Sequence, residues 1–133
     1  MKRSTIYFLT IFLAQYCYSN EWIAVGEQPT LTNTAALENH LWNYIGSNTK
    51  VAFQSKEKYR FQYKFINKSS VLINAICLPA IRNENELGVF PGATTEDLKV
   101  SFYQVKDGGS CFFNVRYNIK TRDFDSLYIN GEA

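Results

Sequence analysis

Three residue types in this chain could do chemistry: cysteine, histidine and clustered carboxylates. The cysteines are Cys17, Cys77 and Cys111, and the only histidine is His40. A nucleophilic thiol needs a base to take its proton, so a catalytic pair would have to be built on His40. A structural zinc site needs four ligands at suitable spacing, which one histidine and scattered cysteines do not supply. Carboxylates pair at Glu84 and Glu86, Glu96 and Asp97, and Asp123 and Asp125. A glycosidase needs two carboxyls across a cleft, one with a raised pKa. These pairs fall in polar loops and turns and read as solvated surface. Gly-x-Ser-x-Gly, His-Glu-x-x-His, Cys-x-x-Cys and the phosphate-binding glycine loops are absent. The expectation is therefore no enzyme: no catalytic residue, no metal ligands and no cofactor.

The role of the cysteines follows from the compartment. Lys2 and Arg3 precede an apolar stretch, Ile6 to Ala14, broken only by Thr10. Cys17 and Ser19 then stand at the −3 and −1 positions of a cleavage site after Ser19. That is the layout of a secretory signal peptide. Tyr16 is too bulky for the residue before a lipid-modified cysteine. The apolar run is shorter than the roughly 20 residues needed to span a bilayer, and no second run reaches that length. The chain divides into a signal peptide, 1–19, and a single secreted domain, 20–133, with no transmembrane span in the mature chain. The expected location is secreted or periplasmic.

Cleavage removes Cys17 and leaves Cys77 and Cys111, an even number in an oxidising setting, so the expected pairing is one disulfide, Cys77–Cys111. Cleavage also removes Lys2 and Arg3. The remaining 12 basic residues then balance 12 acidic ones, which argues against nucleic acid as a partner, since its binders carry a basic patch or stripe. Lys56, Lys58, Arg60, Lys64 and Lys68 do concentrate in one segment, but they interleave with aromatics and read as the solvated face of a strand. Asn67 heads an Asn-Lys-Ser glycosylation sequon, meaningful in a eukaryotic secretory pathway.

The elements that must carry these residues show in the periodicity. Trp22 to Val25 reads as a short strand or a tucked arm. Leu37, Leu41, Tyr44 and Ile45 recur at helical spacing, with Asn33 as N-cap and Gly46 as the terminating glycine. His40 lies beside that stripe, as a boundary or surface residue. From residue 59 the period becomes two. Tyr59, Phe61, Tyr63 and Phe65 face one way. Val71, Ile73, Ala75 and Cys77 form a core face of the next strand. Leu98, Val100 and Phe102 predict a third, and Cys111, Phe113, Val115, Tyr117 and Ile119 a fourth. A strand over "FDSLYIN" closes the sheet. The stretch between Pro79 and Asp97 is longer than an ordinary loop and carries Ile81, Leu87, Val89 and Phe90. The predicted class is α+β: one N-terminal amphipathic helix packed on an antiparallel meander sheet of four to five strands.

A helix followed by consecutive antiparallel strands resembles the cystatin-like grip. The closing stretch "FFNVRYNIKTRDFDSLYINGEA" is similar to the strand–turn–strand of PepSY-like, beta-lactamase-inhibitor-type secreted domains, over about 20 residues. "QVKDG", Gln104 to Gly108, departs from the Gln-x-Val-x-Gly hairpin of cystatins. The resemblance implies a secreted binding or inhibitory module. Its steric contact would fall on an extracytoplasmic protein such as a hydrolase, with Leu87, Phe90, Phe112 and Arg116 as the partner-binding residues. Phe112 and Tyr103 lie on the non-core face, exposed unless a second layer covers them. The alternative is an envelope-associated structural subunit without a discrete active site. A third reading, an enzyme or small-ligand carrier, needs a cavity between helix and sheet with convergent polar groups. The oligomeric state is open.

Overall fold

The computed structural model describes residues 20–77 and 94–131. Strand β1 (Trp22–Ala24) leads to helix α1 (Thr34–Asn48), and a 3₁₀ turn (Lys56–Lys58) precedes β2 (Arg60–Phe65). Strand β3 (Ser70–Ile76), a short helix α2 (Thr95–Leu98), β4 (Phe112–Asn118) and β5 (Asp123–Ile129) complete the described elements. The five strands lie in sequence order across one sheet. β2 to β5 form the expected antiparallel meander, with Phe61 opposite Ala75 and Ala75 opposite Phe113.

Two features differ from expectation. The helix is not N-terminal, and the sheet is mixed. β1 runs parallel to β2, Trp22 opposite Phe61 and Ala24 opposite Tyr63. The cause is the connection: a helix between two neighbouring strands returns the chain to the same end of the sheet, which makes the pair parallel.

One face of the sheet is the core that the aromatic alternation predicts. Leu37, Leu41, Trp42 and Ile45 of α1 pack on Phe61, Tyr63, Val71, Ile73, Phe113 and Val115. Trp42 is the hub, edge-on to Phe53, Tyr59, Phe61 and Phe113 at 5.0–6.5 Å between ring centres. α1 runs through Gly46 to Asn48, so that glycine does not end it. Asn33 is the N-cap, but with a left-handed backbone (φ 55°) and no side-chain capping bond.

The opposite face is covered too, and not by a strand. Residues 98–105 were expected to pair as one; instead α2 and an irregular segment lie across the outer face of β2 and β3. Leu98 is buried against Ile23 and Ile76, while Val100 is 77 % exposed. Two side chains hold this segment. Gln62 is 0 % exposed, and its Nε2 donates to the carbonyls of Leu98 (2.8 Å) and Ser101 (2.9 Å). Its Oε1 accepts from the Tyr103 amide (2.8 Å) and from Asn74 Nδ2 (2.9 Å). Asn74 Nδ2 donates also to the Tyr103 carbonyl at 3.0 Å. The amide side chains thus satisfy the segment's backbone groups as a neighbouring strand otherwise would.

Candidate functional site

Beyond Tyr103 the covering segment lifts from the sheet and leaves a groove of about 430 Å³ on the outer face of β3 to β5. Leu72, Phe102, Tyr103, Phe112, Asn114 and Tyr128 line it. Tyr103 stacks on Phe112, with ring centres 6.2 Å apart and planes 23° from parallel. Burial raises the Tyr103 hydroxyl pKa above its ordinary value. Tyr128 stands at the rim, 61 % exposed. The rim is fixed by Asn130, whose Nδ2 donates to the carbonyls of Val105 (2.8 Å) and Asp107 (3.3 Å). Gly108 abuts Phe112 with φ 106°, and a Cβ there would meet the Phe112 ring at 2.5 Å. Local glycine chemistry therefore decides where the Phe112 ring can lie. An apolar floor with amide and hydroxyl groups at its edge suits an aromatic or aliphatic side chain presented by another chain.

Phe112 is thus in the groove, half-buried under Tyr103, and the second layer is the segment around that tyrosine. Arg116 is on the same face of β4 but outside the groove. It forms a two-pronged pair with Asp125 of β5, Nε to Oδ1 at 2.7 Å and Nη2 to Oδ2 at 3.0 Å. That hydrogen bond is the main cause of a raised Arg116 pKa and a lowered Asp125 pKa. The structure therefore commits Arg116 to its neighbouring strand and does not bring it to Phe112. Leu87 and Phe90 lie outside the described residues, as does the segment 1–19.

Cys77 and Cys111 are bonded, with Sγ atoms 2.03 Å and Cα atoms 4.9 Å apart. The Cys77 amide also donates to the Cys111 carbonyl at 2.9 Å, extending the β3–β4 ladder by one step. The disulfide pins the end of the ladder from which Phe112 departs. His40 is exposed on α1, edge-on to Phe124 at 4.9 Å. Asp97 accepts from the Thr94 hydroxyl in the cap of α2. Among the described residues no group of three histidine, cysteine or acidic side chains could hold a metal ion. Also among them, no helix is long and apolar enough to cross a membrane.

A second cluster lies at the start of the chain, against α1. Glu38 is only 6 % exposed. Its Oε1 accepts from the Asn20 amide and from Trp22 Nε1, both at 3.0 Å, and its Oε2 accepts from Asn20 Nδ2 at 3.2 Å. Desolvation raises its pKa, and the hydrogen bonds from Trp22 and Asn20 offset part of that. Next to it Arg60, also buried, donates from Nε to Glu21 Oε2 at 2.9 Å. Its Nη2 lies 2.8 Å from the same oxygen but at a poor angle, an ion contact without a second hydrogen bond. Arg60 had been expected on a solvated face.

Glu38, Gln62, Asn74 and Tyr128 escape sequence reasoning. Gln62 and Asn74 sit at positions whose period-two alternation marks them as outward-facing, and their cover comes from a segment distant in sequence. Comparison with protein-family models, curated proteins and solved structures gave no match.

Proposed function

We propose that the chain is an exported binding module that acts by steric contact on an extracytoplasmic protein, a hydrolase being the target class that its resemblance to cystatin-like and PepSY-like secreted domains implies. The observation that supports this reading is the outer-face groove. It has a stacked aromatic floor at Tyr103 and Phe112, an exposed aromatic at Tyr128 and a rim tied down by side-chain amides. Rigid aromatic contacts on a preorganised surface dominate protein recognition, because little side-chain freedom is lost on binding. The Cys77–Cys111 bond supports the extracytoplasmic setting, since such bonds persist where the medium is oxidising.

The test is capture from the extracytoplasmic fraction of the protein's own source, followed by affinity measurement on the retained hydrolase. Tyr128→Ala is expected to weaken binding at least about tenfold, the scale of an interface anchor. Val100→Ala, at a highly exposed position away from the groove, is expected to leave it unchanged. Equal affinities for the two variants would refute the groove. Retention of envelope scaffold proteins alone would favour the structural-subunit alternative.

A further inference from the structure

Glu38 is the only buried carboxylate among the described residues. The ion pairs there are Arg60 with Glu21, Lys99 with Glu96 and Arg116 with Asp125; none reaches Glu38. A carboxylate taken out of water without a counter-charge is destabilising even when it accepts hydrogen bonds. Of the nitrogens that donate to it, one can become a cation. It is the main-chain nitrogen of Asn20, 3.0 Å from Oε1. The leader reading places chain cleavage at the peptide bond of which that nitrogen is part.

We propose that Ser19–Asn20 is the processing junction and that the α-ammonium released there is the counter-ion of Glu38, fastening the new N-terminus to α1. The inference rests on the export part of the proposed function. The reaction is hydrolysis by a leader peptidase. Water adds its oxygen to the Ser19 carbonyl carbon and the C–N bond breaks. Ser19 leaves with the leader as a carboxylate, and the Asn20 nitrogen takes up the protons to become –NH₃⁺. A neutral amide donor is thereby replaced by a unit charge at the same position, which strengthens the contact.

The receiving geometry does not depend on the leader. Asn20 Nδ2 donates to the Lys56 carbonyl at 2.8 Å and to Glu38 Oε2, so the side chain positions the residue. Trp22 stacks on Phe61 at 4.5 Å between ring centres, and its Nε1 fixes Glu38 Oε1. One extra residue ahead of Asn20 restores the amide and moves the nearest amine about 3.8 Å away, one Cα step. The other charged groups around the cluster are Lys56 and Glu57, which share its groove, and the adjoining Glu21–Arg60 pair. Besides Glu38, α1 adds only Ala35, Ala36, Asn39 and Trp42 to that groove, and its N-cap Asn33 also lines it.

An amine that gains a carboxylate partner on folding has its pKa raised above the unfolded value of about 7.7–8.0. Its stabilisation is complete below that value and is lost as pH rises through the folded pKa. The test begins with N-terminal sequencing and intact mass of the full chain after export. Denaturant unfolding then compares the processed protein with a form that begins at Ser19, each with Glu38 and with Glu38→Gln, at pH 6 and pH 10. The processed protein should have a folding constant about tenfold higher at pH 6, the equivalent of one unit of pKa shift. The difference should vanish at pH 10 and in both Glu38→Gln forms. A mature chain starting elsewhere overturns the junction. A start at Asn20 with equal stabilities at pH 6, or with a difference that survives Glu38→Gln, overturns the pairing. Either pairing result leaves export and the groove standing.

Discussion

Replacing Gln62 with leucine tests whether two side-chain amides hold the outer layer. Leucine is of similar size and fits a fully buried position, so the change removes hydrogen bonds rather than volume. It orphans the Leu98 carbonyl and the Tyr103 amide, both given their bonds by Gln62, and leaves Ser101 to water. Each buried orphan costs about 1–3 kcal/mol, and the greater apolarity of leucine offsets about 1 kcal/mol of the sum. The expected net loss is about 3 kcal/mol. With a urea slope of about 2 kcal/mol/M for a domain of this size, the midpoint falls by about 1.5 M. The loss should also be local: amides of residues 98–103 should exchange with solvent faster than those of β2 and β3. Asn74→Ala spares most of the set, because Gln62 keeps the Tyr103 amide and both carbonyls, and should cost about 1 kcal/mol. A Gln62→Leu midpoint shift below about 0.3 M, or unchanged exchange at 98–103, would refute the assignment of this segment's stability to Gln62.

The remaining expectations concern the disulfide and the groove's end. The double substitution Cys77→Ala, Cys111→Ala opens a loop closed across 34 positions. It should lower the unfolding free energy by about 4 kcal/mol in the chain-entropy account, read from urea unfolding; free thiols at Cys77 and Cys111 by mass in the purified unsubstituted protein would contradict the bond itself. Gly108→Ala puts a Cβ at φ 106° and 2.5 Å from the Phe112 ring. It should cost about 1–3 kcal/mol and displace that ring, visible as a changed Phe112 resonance and weaker partner binding; an unperturbed ring would remove Gly108 from the groove's design.

How much of this was legible in the sequence depends on whether a side chain's environment is local. The period-two aromatics of β2 and β4 and the stripe on α1 reported their faces correctly, because each face is set by the element's own geometry. The disulfide was legible from the even cysteine number left by the expected cleavage. The segment 98–105 was not. Leu98, Val100 and Phe102 alternate as a strand would, yet Val100 points to water. What decides the outcome is the buried Gln62 and Asn74 on strands 24 or more residues earlier, which take the backbone bonds a strand partner would use. The parallel pairing of β1 was likewise hidden, since three residues carry no signal of direction. Strand parity placed Phe112 on the outer face, where it packs with Tyr103, whereas the engagement of Arg116 depends on Asp125 in the next strand.

The same device accounts for where the outer face is closed and where it is open. Where β2 and β3 present Gln62 and Asn74, the crossing segment is bound through its main chain. Where the outer face presents Leu72 and Phe112, Tyr103 stacks on the phenylalanine and the groove opens beside them. Gln62 and Asn74 fix the covering segment on one side of that groove. Asn130 resumes the same role on the far side, holding Val105 and Asp107, so the gap has two fixed walls. A surface with fixed walls and an apolar floor loses little entropy when another chain fills it. On the function proposed above, this stretch of β3 to β5 is the face that would receive the partner.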